Sequence, residues 1–166
     1  LTISIAEAGR ALIEVADDGS GIPASELALA VERHATSKLV QSEDLFHIST
    51  LGFRGEALAS IGSVSRMTVT SRVAESAAGA RLRVEGGISE KVEPVGAPVG
   101  TVVRVEDLFY NVPARLKFLK ADVTERRAID NLVTRYALAY PNVRFKLSEG
   151  KNVSLQTAGD GDRRAI

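Results

Sequence analysis

Apolar and polar positions alternate from the first residue: Leu1, Ile3 and Ile5 fall on one face, and after Glu7-Ala8-Gly9-Arg10 the run resumes at Leu12, Ile13 and Val15. A period of two predicts two strands joined by a turn. "DDGSGIP", from Asp17 to Pro23, is turn chemistry, with two acids, two glycines and a proline. The period then changes. Pro23 suits a first helical turn opened by Ala24 or Ser25, and Leu27, Ala30 and Val31 share a face, so "PASELALAVERHA" predicts a helix. "TSKLVQSEDLFHISTLGFRG" is long and polar, with a short helical piece near Ser42 to Phe46. "EALASIGSVS" predicts a second helix ended by Gly62. "RMTVTSRV" predicts a strand, "AESAAG" a turn, and "ARLRVEGG" with "ISEKVEPV" a strand pair about Gly86-Gly87. "GTVVRVEDLF" predicts another strand, entered sharply at Gly100. The clearest helix is "DVTERRAIDNLVTRYALAYP", where Ile129, Leu132, Val133, Tyr136 and Leu138 form the stripe and Pro141 follows the end. Val143, Phe145 and Leu147 alternate, Glu149-Gly150 turns, and Val153 and Leu155 complete a hairpin.

Strands come mostly in neighbouring pairs, with helices between the groups. That order predicts an α+β fold: a mixed, largely antiparallel sheet with helices on one face. The 166 residues suit one domain or one domain plus a fragment, and 45% hydrophobic and 25% charged content is ordinary for a soluble globular protein. The absence of cysteine excludes disulfides, zinc–thiolate sites and thiol catalysis, and two histidines, His34 and His47, are too few for a His-rich metal site. Lys plus Arg equals Asp plus Glu, 21 each, so net charge points to no nucleic-acid partner. A local basic cluster, Arg115, Lys117 and Lys120, could meet phosphates or be a solvated helix face. No apolar run approaches the ~20 residues that cross a bilayer, so no membrane partner is expected. The chain opens at Leu1 within a strand and without an initiator Met, which reads as a piece of a longer protein.

Four stretches could carry chemistry. In "DDGSGIP" a carboxylate before Gly-x-Gly can accept hydrogen bonds from an exocyclic amine while the glycines let a flat ring lie close; an ordinary acidic turn has the same composition. "LGFRGEAL" puts glycines, an aromatic and a cation where a helix begins, in place of the usual Ser, Thr, Asp or Asn cap. Its N–H groups from Gly52 to Glu56 could cradle a phosphate, or Glu56 could simply cap the helix above a tight turn. No Gly-Lys-Ser/Thr follows, so it is not a Walker loop, and no Gly-x-Gly-x-x-Gly opens a βαβ unit. "RHATSK" offers Thr36, Ser37 and Lys38 to phosphates or metal-bound water, or ends a solvated helix. Thr101 could hydrogen-bond a ring or an ordered water, or serve only its β-propensity.

In their order and spacing, "DDGSGIP", "RHATSK", "LGFRGEALASIGSVS" and "GTVVRVEDLFYNVPARLKFL" resemble the MutL family of DNA mismatch repair proteins. That family belongs to the ATPase superfamily of DNA gyrase, a heat-shock chaperone and histidine kinases. Asp-x-Gly-x-Gly is loose; the Gly-Phe-Arg-Gly-Glu-Ala-Leu and Leu-Phe-Tyr-Asn-x-Pro-Ala-Arg runs are specific. The resemblance covers about Leu1 to Gln156. It implies a Bergerat-type ATP-binding subdomain over 1–156 lacking its first helix, and a linker over 157–166 toward a second subdomain. It implies that Asp17 binds the adenine amine, with Gly19 and Gly21 shaping the pocket and Thr101 holding the adenine side. Thr36 and Lys38 would sit near the nucleotide. Gly52, Phe53, Arg54, Gly55 and the residues after them, Glu56, Ala57 and Leu58, would wrap the phosphates, and the lid, roughly Gln41 to Gly55, is expected to be poorly ordered without nucleotide. The family usually has Asn where Asp18 stands.

The resemblance also implies ATP and Mg²⁺ as cofactors in the intact parent, with the general-base Glu and the Asn that holds Mg²⁺ upstream of Leu1. No catalytic or metal residue is therefore expected within the chain. Expected partners are mismatch-recognition and other repair proteins, DNA, and a second copy through the ATPase region when ATP is bound. The location implied is cytoplasmic and nucleoid-associated in a bacterium, nuclear in a eukaryote. A gyrase-like ATPase subunit and a nucleotide-independent binding module are the competing readings; the Phe-Tyr-Asn-x-Pro-Ala-Arg run opposes the first and a nucleotide-binding assay separates the second.

Overall fold

The structure is a computed structural model in which residues 1–33 and 55–166 are described. The opening alternation forms β1 (Thr2–Ala6) and β2 (Leu12–Asp17), antiparallel, with Ile3 opposite Val15 and Ile5 opposite Ile13. Their connection is a 3-10 turn at Glu7–Gly9 that holds Glu7 and Ala8 at φ 49° and 52°. Left-handed backbone is unfavourable for residues with a Cβ. The turn is fastened from across the fold, where Ala8 N donates to Glu149 Oε1 at 3.1 Å.

Helix α1 (Ala24–Ala30) starts as expected, with Pro23 just outside it as the N-cap residue. It closes five residues before the expected Ala35. Val31 N–H reaches Ala28 O at 3.3 Å and Glu32 N–H reaches Leu29 O at 3.1 Å, a tightened last turn, and Glu32 and Arg33 offer no apolar face to continue it. Helix α2 (Ala57–Gly62) ends at Gly62 as expected. The strands β3 (Arg66–Arg72) and β4 (Gly79–Glu85) follow. "ISEKVEPV" is not one strand but two, β5 (Ile88–Ser89) and β6 (Glu93–Val95), both on β4. Glu90 N still bonds Arg83 O at 2.9 Å, after which the chain leaves the ladder and rejoins it at Glu93. Pro94, which has no N–H to give, is tolerated because β6 lies at the sheet margin.

Strand β7 (Gly100–Glu106), α3 (Pro113–Leu116), α4 (Asp122–Ala139), β8 (Lys146–Glu149) and β9 (Asn152–Gln156) complete the described elements. Among the described residues nine strands form one sheet of order β5-β4-β3-β7-β2-β1-β8-β9, with β6 beside β4. Every pairing is antiparallel except β1 with β8, so the sheet is mixed and mostly antiparallel, as expected.

Register puts Ile3, Val15, Val103, Val69 and Leu82 in one row across five strands. That face carries the helices. Leu27 and Val31 of the α1 region pack on Met67, Val69, Leu82, Val84 and Val105. Val133 and Ala137 of α4 pack on Ile3, Ile5, Phe145 and Leu147, and Ile13 touches both clusters. The stripe on α4 is therefore Ile129, Val133 and Ala137, spaced by four. Leu132, Tyr136 and Leu138 were expected inside and are exposed by 55%, 39% and 41%. Small Ala137 takes the central position, with no exposed surface, among Ile3, Ile5, Phe145 and Leu147. Residues 157–166 are bonded to the body: Thr157 N reaches Phe145 O at 2.9 Å, Gly161 N reaches Pro141 O at 3.1 Å, and Ile166 touches the second cluster.

Leu82 has no exposed surface and sits between α1 and the sheet. Leu82→Ala is expected to cost about 2–5 kcal/mol of stability through lost transfer energy and the cavity left behind. Denaturant unfolding checks this as a lower midpoint at unchanged m-value.

Candidate functional site

The end of β2, the start of β7 and the end of β3 lie side by side, pairing Asp17 with Thr101 and Thr101 with Ser71. Their side chains belong to the helix-bearing face, in line with Val15, Val103 and Val69 by the period of two. Past Asp17 the chain turns at once. Asp17 Oδ1 accepts from Gly19 N at 2.9 Å, an Asx turn, and from Thr101 N at 3.2 Å. Among the described residues Oδ2 has no hydrogen-bond partner, and Asp17 is exposed.

Ser71, 1% exposed, stands behind this pair. Its Oγ accepts from Ile22 N at 2.7 Å, donates to Gly100 O at 2.9 Å and lies 2.9 Å from Thr101 Oγ1. It thereby ties the "GSGIP" turn to the first residues of β7. Gly21 is required in that turn: it has φ +76°, and a Cβ there would lie 2.1 Å from Arg72 O. A carboxylate oxygen and a hydroxyl held side by side present an acceptor-rich edge, suited to an N–H donor such as a ring amine.

The structure thus brings together Asp17, Gly19, Gly21 and Thr101 of the expected residues. Gly55, at φ +62°, Glu56, Ala57 and Leu58 stand at the start of α2. Glu56 is the N-cap residue by backbone, with no side-chain cap bond, and Leu58 packs against the main core. Thr36, Lys38, Gly52, Phe53 and Arg54 lie outside the described residues, as do the expected helical piece at Ser42 to Phe46 and all of the expected lid except Gly55. Ser71 was not among the expected residues. Its signal was present: in "MTVTSRV" it takes the apolar-face position between Val69 and Val73, where a hydroxyl needs a reason.

The "LFYNVPAR" run has a structural use. Phe109 N bonds Val64 O at 2.7 Å and Asn111 Nδ2 bonds Ser63 O at 3.0 Å, which fastens the run to the α2–β3 connection. Arg115 lies over the Phe109 ring at 5.6 Å from its centroid. Its guanidinium is therefore engaged within the run.

A cavity of about 300 Å³ also touches Asp17 and Thr101, but its polar walls include Glu14, Thr68, Thr70, Arg81 and Arg104. These belong to the opposite, helix-free face of the sheet by register. Its cations are already compensated. Arg104 donates to Glu106 and to Glu14, each at 2.9 Å, which raises its pKa above the ordinary guanidinium value, and Arg81 pairs with Glu93 at 2.8 Å. An anionic ligand would have to displace those carboxylates, so this cavity is a poor phosphate site. Among the described residues no group of three His, Cys, Asp or Glu side chains could hold a metal, and no helix is long and apolar enough to cross a membrane.

Comparison with known proteins places the chain. No family model matches it. The DNA mismatch repair protein MutL of Rhodospirillum rubrum is 53% identical over 159 residues, covering 96% of this chain and 25% of that protein. MutL of Heliobacterium modesticaldum is 48% identical over 160 residues, covering 96% of this chain and 24% of its own length. The chain thus spans about a quarter of the length of these relatives. Among solved structures, the Aquifex aeolicus MutL ATPase domain complexed with ADP is 35% identical with a TM-score of 0.71, covering 94% of this chain and 54% of that one. By sequence across nearly its whole length and by fold, the chain belongs to the MutL family of DNA mismatch repair proteins and forms part of the ATPase domain.

Proposed function

We propose that the edge formed by Asp17 and Thr101 reads the adenine amine of ATP. The observation that carries this reading is the commitment of Asp17 Oδ1 to two backbone N–H groups, Gly19 and Thr101. That commitment fixes the carboxylate plane and leaves Oδ2 for a donor. The ADP bound to the Aquifex aeolicus relative supports an adenine nucleotide as the ligand. Gly19 and Gly21 shape the turn against the ring. Thr36, Lys38 and Gly52 to Leu58 take the phosphate side on the strength of the family motifs. In the intact parent, ATP binding and hydrolysis would order the lid, bring two ATPase regions together, and signal to repair proteins on DNA. Mg²⁺ would accompany the phosphates, but the described residues offer no ligand cluster for it, so no step is assigned to it.

The test is a calorimetric titration of the full-length protein with ADP, GDP and UDP. Saturable binding that favours ADP is expected; equal or absent binding of all three overturns the reading. The 166 residues by themselves are expected to release no phosphate from ATP. Hydrolysis needs a base near the reacting phosphate. Asp17 is committed to the other end of the nucleotide, Asp18 follows it in the same turn, and Glu56 is the N-cap residue of a helix, placed to hold that helix start rather than to take a proton from water. A phosphate-release assay on the 166-residue protein checks this, and turnover that vanishes in Glu56→Ala would assign the base to Glu56.

A further inference from the structure

Ser71 is a buried hydroxyl with three polar neighbours and no place in the ligand edge itself. A serine hydroxyl has one proton to give and two lone pairs to accept with. Gly100 O can only accept, so the Ser71 proton goes there, at 2.9 Å. Ile22 N can only donate, at 2.7 Å, and fills one lone pair. One lone pair remains, and Thr101 Oγ1 is 2.9 Å away. The two hydroxyls alone would allow either to donate; with the Ser71 proton given to Gly100 O, Thr101 points its own proton at Ser71. The assignment leaves every position on Ser71 filled and turns Thr101 into an acceptor on its remaining side.

We propose that Ser71 is a positioning residue for base selection: it holds the Thr101 hydroxyl proton away from the ligand, so that Thr101 Oγ1 and Asp17 Oδ2 both present lone pairs. This rests on the adenine reading above. Such an edge accepts from a ring amine and offers nothing to a ring carbonyl. A base carrying oxygen where adenine carries its amine meets acceptors only, and a polar group left without a partner is heavily disfavoured. Free of Ser71, the Thr101 hydroxyl could rotate and donate to that oxygen. Discrimination would fall even with every ligand-facing residue in place.

The experiment compares ATP with inosine triphosphate, which has the ring oxygen, by calorimetry on the full-length protein. Four forms are compared: wild type, Ser71→Ala, Thr101→Val and the double variant, with a thermal melt for each. Ser71→Ala is expected to lower the ratio of ATP to inosine triphosphate affinity by about tenfold, the worth of one neutral hydrogen bond. The same substitution in the Thr101→Val background is expected to leave the ratio unchanged, because the hydroxyl it acts through is gone. Ser71→Thr, which keeps the hydroxyl, should retain the wild-type ratio. Should Ser71→Ala not fold, Ser71→Cys fills the same space with a weak donor and acceptor and takes its place. A loss of affinity that is equal for both nucleotides, or a fall in ratio of the same size with and without Thr101, would make Ser71 a structural staple only and overturn the proposal. An unchanged ratio in Ser71→Ala overturns it too. Failure of the wild type to bind ATP at all would instead strike the adenine reading.

Discussion

Asp17→Ala is expected to weaken ATP and ADP binding about tenfold to a hundredfold while leaving the fold nearly as stable. A hydrogen bond to a charged partner is worth about 1.5–3 kcal/mol, which sets that range. The fold loses little because Asp17 is exposed and the N–H groups it holds, Gly19 and Thr101, can turn to water. Asp17→Asn sharpens the test. Its amide oxygen can keep both backbone bonds, but its NH₂ then faces the ring amine, donor against donor. Asn should therefore lose about as much affinity as Ala, with a melting temperature closer to wild type. Calorimetry and a thermal melt on the three forms decide this. Wild-type affinity in Asp17→Asn would show that the carboxylate does not meet the amine.

Strand order within the sheet was not legible in the sequence, and the site depends on it. The alternation at Leu1, Ile3 and Ile5 and at Leu12 to Val15 did predict the first hairpin, and in β1 the alternate residues Ile3 and Ile5 are the buried ones. The Asp17 stretch was legible as a turn, but its composition alone did not separate a ligand edge from an ordinary acidic turn. What period two cannot show is which strand lies next to which. Thr101 is 84 residues from Asp17, and only the placing of β7 between β2 and β3 brings them within 3.2 Å. Ser71 was marked only by its place on the apolar face between Val69 and Val73; that its hydroxyl meets Ile22, Gly100 and Thr101 follows from strand order alone. On α4 the error was of another kind. Large apolar residues drew the stripe toward Leu132 and Tyr136, whereas the buried line is Ile129, Val133 and Ala137, and a small alanine carries little hydrophobic signal in a sequence. The helix ends at Ala30 because the apolar spacing stops at Val31, while Glu32 and Arg33 are polar residues with fair helix propensity.

Gly100→Ala is expected to damage stability and nucleotide binding together, where Asp17→Ala damages only the second. Gly100 opens β7 at φ +114°, a region that residues with a Cβ scarcely enter. A Cβ there would stand 2.1 Å from Asp17 O and 3.0 Å from Asp18 Cα. Both are backbone atoms, so no side chain can rotate aside, and the relief must come from moving β7 away from β2. That movement opens the pairing of Asp17 with Thr101 and strains the Ser71 bond to Gly100 O. The expected cost is about 2–4 kcal/mol of stability, from backbone strain together with displaced strand pairing. Affinity for ATP should fall at least as far as in Asp17→Ala, since both acceptors shift. Gly96, four residues earlier in the same approach to β7, is the control. Its backbone is not left-handed and a Cβ would meet nothing within 4 Å. Gly96→Ala should be neutral or slightly stabilising, by about 0.4–1 kcal/mol, because it restricts the unfolded chain. Denaturant unfolding and ATP titration of the two variants side by side check the contrast. Equal behaviour of Gly96→Ala and Gly100→Ala would show that the β2–β7 contact tolerates a methyl group, and that this close approach does not set the site.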